Sequence, residues 1–339
     1  MGIPVNIETE EVSLMITFFA CPKPFEGHID TIQRNAIRSW TLLKPRPEII
    51  LLGIDKGVAE ICKEFGLIHI PDISRNEYGT PLVSSIFEIG QARASHSVVC
   101  YINSDIMLTN DFLRAIEIVV AKMPRFLVLG QRTDIDIKEA WNFDAAVWEV
   151  CLKNLLEQKG TLHAPTGIDF FCFPRGMYSD IPPFAIGRFA WDCWLVWYVR
   201  MQGFPIVDIT EAVPIAHQNH GYAPDKIRKL DAQTLGSKTQ GRAADRILRF
   251  NNSGVGFRLE VQRNAALVPE EQYLNIWAAT WRIDRKGRLG HRWIMLKPAY
   301  LYYQLKCVVP AYWPAFGRVF RWIKSVAKTL LQFGTAERE

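Results

Sequence analysis

The chain has 339 residues, 49% hydrophobic and 22% charged. That balance excludes a disordered or fibrous chain and leaves room for one large α/β domain with an appendage, or for two modest domains. The formal net charge is +5, but ten Lys/Arg and no Asp or Glu fall between Arg285 and Gly334, which leaves about −5 for everything else; no run of about 18 charge-free apolar residues occurs, so an ordinary membrane-spanning helix is not expected.

The N-terminal stretch through Met15 has no basic start and no long apolar core, and reads as no signal peptide. Short apolar runs then alternate with helical stretches over the first two-thirds, the pattern of a mostly parallel sheet. Leu14 to Ala20 is the first strand, and an amphipathic helix follows from about Ile29 to Leu42. Glu48 to Ile54 is a second buried strand, Val58 to Phe65 a helix, and His69 to Ile73 a third short strand. The turn cluster from Ser74 to Pro81 opens a helix over Leu82 to Ala94. Ser97 to Ile102 is a central strand ended by Asn103-Ser104-Asp105, and a helix from Asp111 to about Lys122 carries the chain back. Phe126 to Gln131 is a strand, Ala145 to Gln158 a helix, and Phe170 to Phe173 a further strand. After the break at Pro182-Pro183, Trp191, Trp194, Leu195 and Tyr198 share the face of a helix. Pro205 to Ile209 reads as a strand, and Ala212 to His217 as one more. Beyond Pro224 the pattern weakens into a polar, basic stretch and then an aromatic-rich tail.

The seven cysteines are odd in number, lack CxxC pairing and mostly sit in apolar runs. They are expected to act as small core hydrophobes in a reducing compartment, the cytoplasm.

Three motifs carry chemistry. Open α/β sheets bind ligands beyond the carboxyl ends of their strands, where Asp105 falls. Mg2+ or Mn2+ takes oxygen ligands there, typically one or two carboxylates plus substrate phosphates; the plain alternative is a capped strand end. In Phe184 to Asp192, a glycine-bearing loop delivers an acid to the start of the aromatic helix. A hydroxyl needs such a base to become a nucleophile, although Asp192 also complements a helix N-terminus. In His217-Gln218-Asn219-His220, two histidines follow an apolar run and are candidate metal ligands. If the strand continues through them, alternation puts them on opposite faces and at most one reaches a metal.

With these motifs the chain resembles GT-A glycosyltransferases of the bacterial family 2-like, nucleotide-sugar-dependent kind, over roughly residues 12–222. The resemblance implies a catalytic domain over 1–255 and a basic, mainly helical extension over 256–339. It implies a Mn2+ or Mg2+ site where that fold has its DxD signature. Here Asn103-Ser104-Asp105 replaces the first acid by an amide, so Asp105 is the main ligand, Asn103 a weak one, and His217 or His220 the complement. By the same likeness Asp192 is the base of an inverting transfer to a hydroxyl acceptor, a glycan or a lipid-linked molecule. Phe19, Asp55, Arg75, Asn76, Ser104 and Arg132 are donor-binding candidates, and Asp169 and Trp191 candidates for acceptor or sugar. The stretch from Phe316 to Phe333 forms an amphipathic helix on paper, and the cations and aromatics of 285–334 suit an anionic membrane surface. A packed helix and a nucleic-acid surface are the alternatives there. A nucleotidyltransferase and a non-catalytic sugar- or partner-binding domain are the rival readings; the former should carry a Gly-rich phosphate loop, where this chain has Cys21-Pro22-Lys23-Pro24.

Overall fold

A computed structural model describes residues 14–144, 147–188, 190–220, 260, 263–268 and 274–291. The first half follows the expected alternation: β1 (Ile16–Ala20), α1 (Gly27–Thr41), β2 (Glu48–Leu52), α2 (Val58–Phe65), β3 (Ile68–Ile70), α3 (Val83–Arg93), β4 (Val98–Ile102), β5 (Ile106–Met107) and α4 (Asp111–Val120). The second half continues with β6 (Leu127–Leu129), β7 (Thr133–Ile135), α5 (Trp148–Lys159), β8 (Thr161–Leu162), β9 (Phe170–Pro174), α6 (Trp191–Met201), β10 (Ile206–Asp208), β11 (Ala216–Gln218), β12 (Trp281–Ile283) and β13 (Leu289–His291).

Among the described residues, nine strands form one sheet in the order β13-β12-β10-β6-β9-β4-β1-β2-β3. Strands β1 to β4 run parallel to one another, as do β6, β10 and β12. Strand β9 lies antiparallel to both β4 and β6 and joins the two blocks. From β1 the chain winds outward through β2 and β3, then crosses back to β4 on the other side of β1. That reversal opens a crevice at the carboxyl ends of β1 and β4, where ligands of open sheets bind.

The inner strands are apolar on both faces, as strands covered by helices on both sides must be. Alternation sends Phe18 to one face, against Trp40 and Phe112, and Phe19 to the other, against Phe87, Tyr101 and Phe173. Phe19 is fully buried, and a Cβ on Gly90 of α3 would lie 2.4 Å from its ring. The expectation that Phe19 binds the donor is therefore corrected. Strand parity turns it into the core, and glycine at 90 lets the helix lie directly upon it.

A smaller sheet, β5-β11-β7-β8, has its own apolar cluster built on Met107, Ile135, Trp148, Leu152 and Ala216. Its middle strand β11 pairs with β5 on one side and β7 on the other, with His217 opposite both Ile106 and Asp134.

The main sheet gains a strand from beyond residue 255 as well. Strand β12 pairs with β10 in the main sheet, and Val268, Leu274, Ile276, Ala279 and Ile283 are buried in the same two cores. A three-residue strand joined to a distant partner leaves no periodicity to read. From residue 292 on, including 316–333, the basic tail lies outside the described residues. No helix among the described residues is long and apolar enough to cross a membrane. The six described cysteines are all free.

Candidate metal and catalytic site

Three residues after β4, Asp105 meets both histidines. His220 Nε2 lies 3.1 Å from Asp105 Oδ2 and His217 Nε2 lies 3.9 Å from it, and one ligand atom from each residue falls within 4.8 Å of the others. The expectation that at most one histidine reaches the site is corrected: β11 stops at Gln218, so alternation no longer governs residue 220 and the chain turns back toward Asp105.

Buried polar groups hold this corner still. The backbone N–H of Gln218 donates to the Asp105 carbonyl (3.2 Å), and its side-chain amide donates to Ile32 O (2.7 Å) while accepting from Asn35 Nδ2 (2.9 Å). Trp40 Nε1 donates to Ile106 O at 2.8 Å. These bonds explain why α1 buries Asn35 beside Ile32, Ala36 and Trp40.

Burial acts to raise the Asp105 carboxyl, but the hydrogen bond with His220 and the charges of His217 and Lys23 outweigh it and bring it to about 2. Burial is also the main influence on His217, which it lowers from the ordinary histidine value against the pull of Asp105, Asp169 and Asp134. His217 Nδ1 sits 2.8 Å from Asp134 Oδ1, leaving Nε2 turned toward Asp105. Asp105 Oδ1 and His217 Nε2 are buried and hydrogen-bonded to no protein atom among the described residues. The buried lone pairs of Asp105 Oδ1 and His217 Nε2, with His220 Nε2 beside the same carboxylate, fit a divalent cation. The two nitrogens favour Mn2+ over Mg2+, which prefers an all-oxygen shell.

Behind the triad lies a second polar layer. Arg132 Nε forms an ion pair with Asp134 Oδ1 at 2.9 Å, and Asp134 Oδ2 lies 2.5 Å from His163 Nδ1. Arg132 Nη1 donates to Asp169 Oδ2 (3.0 Å), and Asn103 Nδ2 donates to Asp169 Oδ1 (2.6 Å). Asn103 Oδ1 accepts from the Tyr101 hydroxyl at 2.9 Å. So Asn103, expected as a weak metal ligand, has both ends of its amide in this layer. Arg132, expected to fork a diphosphate, is 9% exposed and spends its fork on two internal carboxylates. Asp169 likewise spends both oxygens inside. Ser104 is buried, with its hydroxyl on no described protein partner.

Asp192 stands in the first turn of α6, after a loop with positive φ at Gly187 and at Ala190 (90°). Burial, with the Asp169 carboxylate nearby, raises Asp192 to about 6 against the pull of the Cys193 N–H. A carboxylate near neutrality accepts a proton well. The neighbouring Trp191, expected at the sugar, is 7% exposed and packs on Tyr101 and Phe171, so its ring belongs to the core beneath the site.

At the edge formed by the ends of β1 and β2, Arg75 Nη2 pairs with Asp55 Oδ2 at 2.8 Å. Cys21 joins them: burial and the Asp55 charge push its thiol up to about 12 against Arg75. Ile54 is 68% exposed beside them. Asn76 is a turn residue here. Its Oδ1 accepts from the Tyr78 and Thr80 N–H groups and its Nδ2 donates to Glu260, so its donor-binding role is not what its contacts describe.

Two functional residues escape a reading of the sequence. Lys23 Nζ lies 3.4 Å from His220 Nε2, and the buried Gln33 holds the Lys23 backbone at both N–H and C=O, each at 2.8 Å. Its position just past β1 is the one signal that points to it. Asp134 gives no such signal, because the registry of β7 against β11 alone brings it to His217.

The chain matches no family model and no curated protein. Among solved structures it is similar to the mannosyltransferase PcManGT from Pyrobaculum calidifontis in complex with GDP-Man and Mn2+ (12% identity, TM-score 0.41, 95% of this chain and 79% of that one). It is similar to S. aureus TarS 1–349 in complex with UDP-GlcNAc (11%, TM-score 0.42, 93% and 92%). It is similar also to glucosyl-3-phosphoglycerate synthase from Mycobacterium tuberculosis with Mg2+ and UDP (15%, TM-score 0.37, 71% and 81%).

Proposed function

We propose that this chain is a GT-A-type glycosyltransferase that moves a sugar from a nucleoside-diphosphate donor to a hydroxyl acceptor with inversion. The observation that carries the reading is the convergence of Asp105, His217 and His220, with buried lone pairs on Asp105 and His217, at the mouth of the crevice between β1 and β4. Asp105, His217 and His220 would hold Mn2+, which would supply positive charge to offset that of a diphosphate leaving group. Lys23 adds a positive charge on the same side. Asp55, Arg75 and the exposed Ile54 line the nucleoside end of the donor. Asp192 takes the proton from the acceptor hydroxyl as its oxygen attacks the anomeric carbon from the face opposite the diphosphate. A lipid-linked or glycan acceptor fits the basic, aromatic composition of 285–334, which would bring the enzyme to the inner face of an anionic membrane from the cytoplasm.

Slow Mn2+-dependent hydrolysis of a nucleotide-sugar panel tests the assignment. The wild type is expected to release nucleoside diphosphate, and Asp105→Ala to lose at least about 100-fold, the scale of a missing metal ligand or its immediate support. Pyrophosphate release from sugar phosphate and nucleotide would instead mark a nucleotidyltransferase. No turnover on any donor would leave a binding domain of the same fold.

A further inference from the structure

Glu260 is 2% exposed and lies far along the chain from Asn76 and Arg188, the residues it bonds. Its Oε1 accepts from Asn76 Nδ2 at 2.6 Å, and its Oε2 accepts from Arg188 Nε at 2.7 Å, with Arg188 Nη2 also at 2.7 Å. Burial acts to raise this carboxyl, but hydrogen bonds from Thr80, Asn76 and Arg188 outweigh it and hold it below the ordinary value, so it is an anion at neutral pH. Four residues later Asn264, 1% exposed, grips both backbone groups of one residue: it accepts from the Ala185 N–H (2.9 Å) and donates to the Ala185 carbonyl (3.0 Å). Such buried polar groups are satisfied only if the loop stays where it is.

The two strips they join are already laid against each other. Leu82 bridges Ala185 antiparallel, the Val83 N–H donates to Phe184 O (2.8 Å), and the Ile186 N–H donates to Pro81 O (3.0 Å). One strip leads back to Arg75, on the nucleoside edge. The other leads forward through Ala190, whose φ of 90° a residue with a Cβ keeps only where its surroundings impose it, to Asp192.

We infer that Glu260 is a positioning residue for the transfer reaction. With Asn264 it locks the loop that delivers Asp192 onto the turn that carries Arg75, so that proton acceptor and donor edge are set as one unit. This rests on the reading above and deepens it, because the segment around 260–268, which the sequence assigns to an appendage, then completes the site. Around Asp192 stand the Asp169 carboxylate at the start of β9 and, on its own helix, the Cys193 thiol and N–H. Loosening the loop lets water reach Asp192 and lets its carboxyl fall toward the ordinary 3.8.

The test compares wild type, Glu260→Gln, Arg188→Gln and the double variant on the best donor of the panel. Glu260→Gln is expected to lower kcat about 10- to 100-fold, the scale of a misplaced catalytic group. KM for the donor and Mn2+ affinity should stay within about threefold, and the acid limb of the kcat profile should move to lower pH. The double variant should be no worse than either single one, since both break the same contact. A wild-type kcat, a loss confined to KM, an unmoved acid limb or additive losses would overturn the inference. Hydrogen exchange separates this from failure of the parent reading. Even if the wild type turns over no donor, amides of 184–192 should lose protection in Glu260→Gln while those of β1 and β4 keep theirs. Unchanged protection in the loop would overturn the coupling on its own.

Discussion

Asp105 and Asp192 are the same residue type, one three residues past β4 and the other in the first turn of α6, and the protein drives their acidities apart. Asp105 is brought to about 2 and Asp192 to about 6. Burial pushes both upward. At Asp105 two histidines and Lys23 overturn it, whereas at Asp192 the nearby charge is another carboxylate, Asp169, which adds to it. Two acids set apart in this way divide the labour of a reaction. One stays an anion at any working pH and suits a cation; the other passes through its midpoint near neutrality and suits a proton. The residue names are equal, so it is the neighbours that assign the roles.

The contrast breaks most visibly at Asp192. Asp192→Asn should lower kcat by about 10²–10⁴, the usual weight of a general base, while Mn2+ binding stays as in the wild type. In the wild type, kcat should rise with pH through about 6, because Asp192 must be deprotonated to accept a proton. A variant that keeps its rate, or a profile flat from pH 5 to 7, would remove Asp192 from the mechanism.

A smaller change sharpens the Asp105 side. Asp134 touches the triad only through His217 Nδ1, so Asp134→Asn tests whether that bond orients the imidazole. Mn2+ affinity, read by titration calorimetry or electron paramagnetic resonance, should weaken about 10- to 100-fold, as when an outer partner of a ligating histidine is lost. Unaltered affinity would show that the β7–β11 registry alone places His217.

The sequence makes one half of this contrast easier to read than the other. Val98 to Ile102 is a buried strand running into Asn103-Ser104-Asp105, so the place of Asp105 follows from hydrophobicity and from where open sheets bind ligands. The helix after Ala190 is equally plain from its aromatic spacing, and it carries Asp192 to its first turn. What the pattern hides is where strands stop and which strands meet. His220 joins the triad because β11 ends at Gln218, and Asp134 and Arg132 turn inward because β7 lies between β8 and β11. Phe19 shows the same limit at one-residue scale: alternation alone decides that it, and not Phe18, faces α3, and neither side of β1 is polar enough to reveal it. Glu260 and β12 are hidden for a third reason, since their partners lie far back along the chain and their own segment is too short for a period.

The smallest effect is on stability, and its sign is opposite for the two acids. Asp192 holds its proton more tightly folded than unfolded, so its ionisation opposes folding. That cost is absent below about pH 3.8, the unfolded value, and complete above about pH 6. Asp192→Asn should therefore raise the Tm of the metal-free protein by a few degrees at pH 7.5, at roughly 2–4 °C per kcal/mol for a domain of this class, and by little or nothing at pH 4. Asp105 is the reverse case. Its lowered value contributes stability above about pH 3.8 that is lost only as pH falls toward 2, so Asp105→Asn should lower the Tm at both pH values. Melting curves of the two asparagine variants at pH 4 and pH 7.5 check this. Should Asp192→Asn destabilise at pH 7.5, its carboxylate is being stabilised by the fold, and the environment that makes it a proton acceptor does not exist.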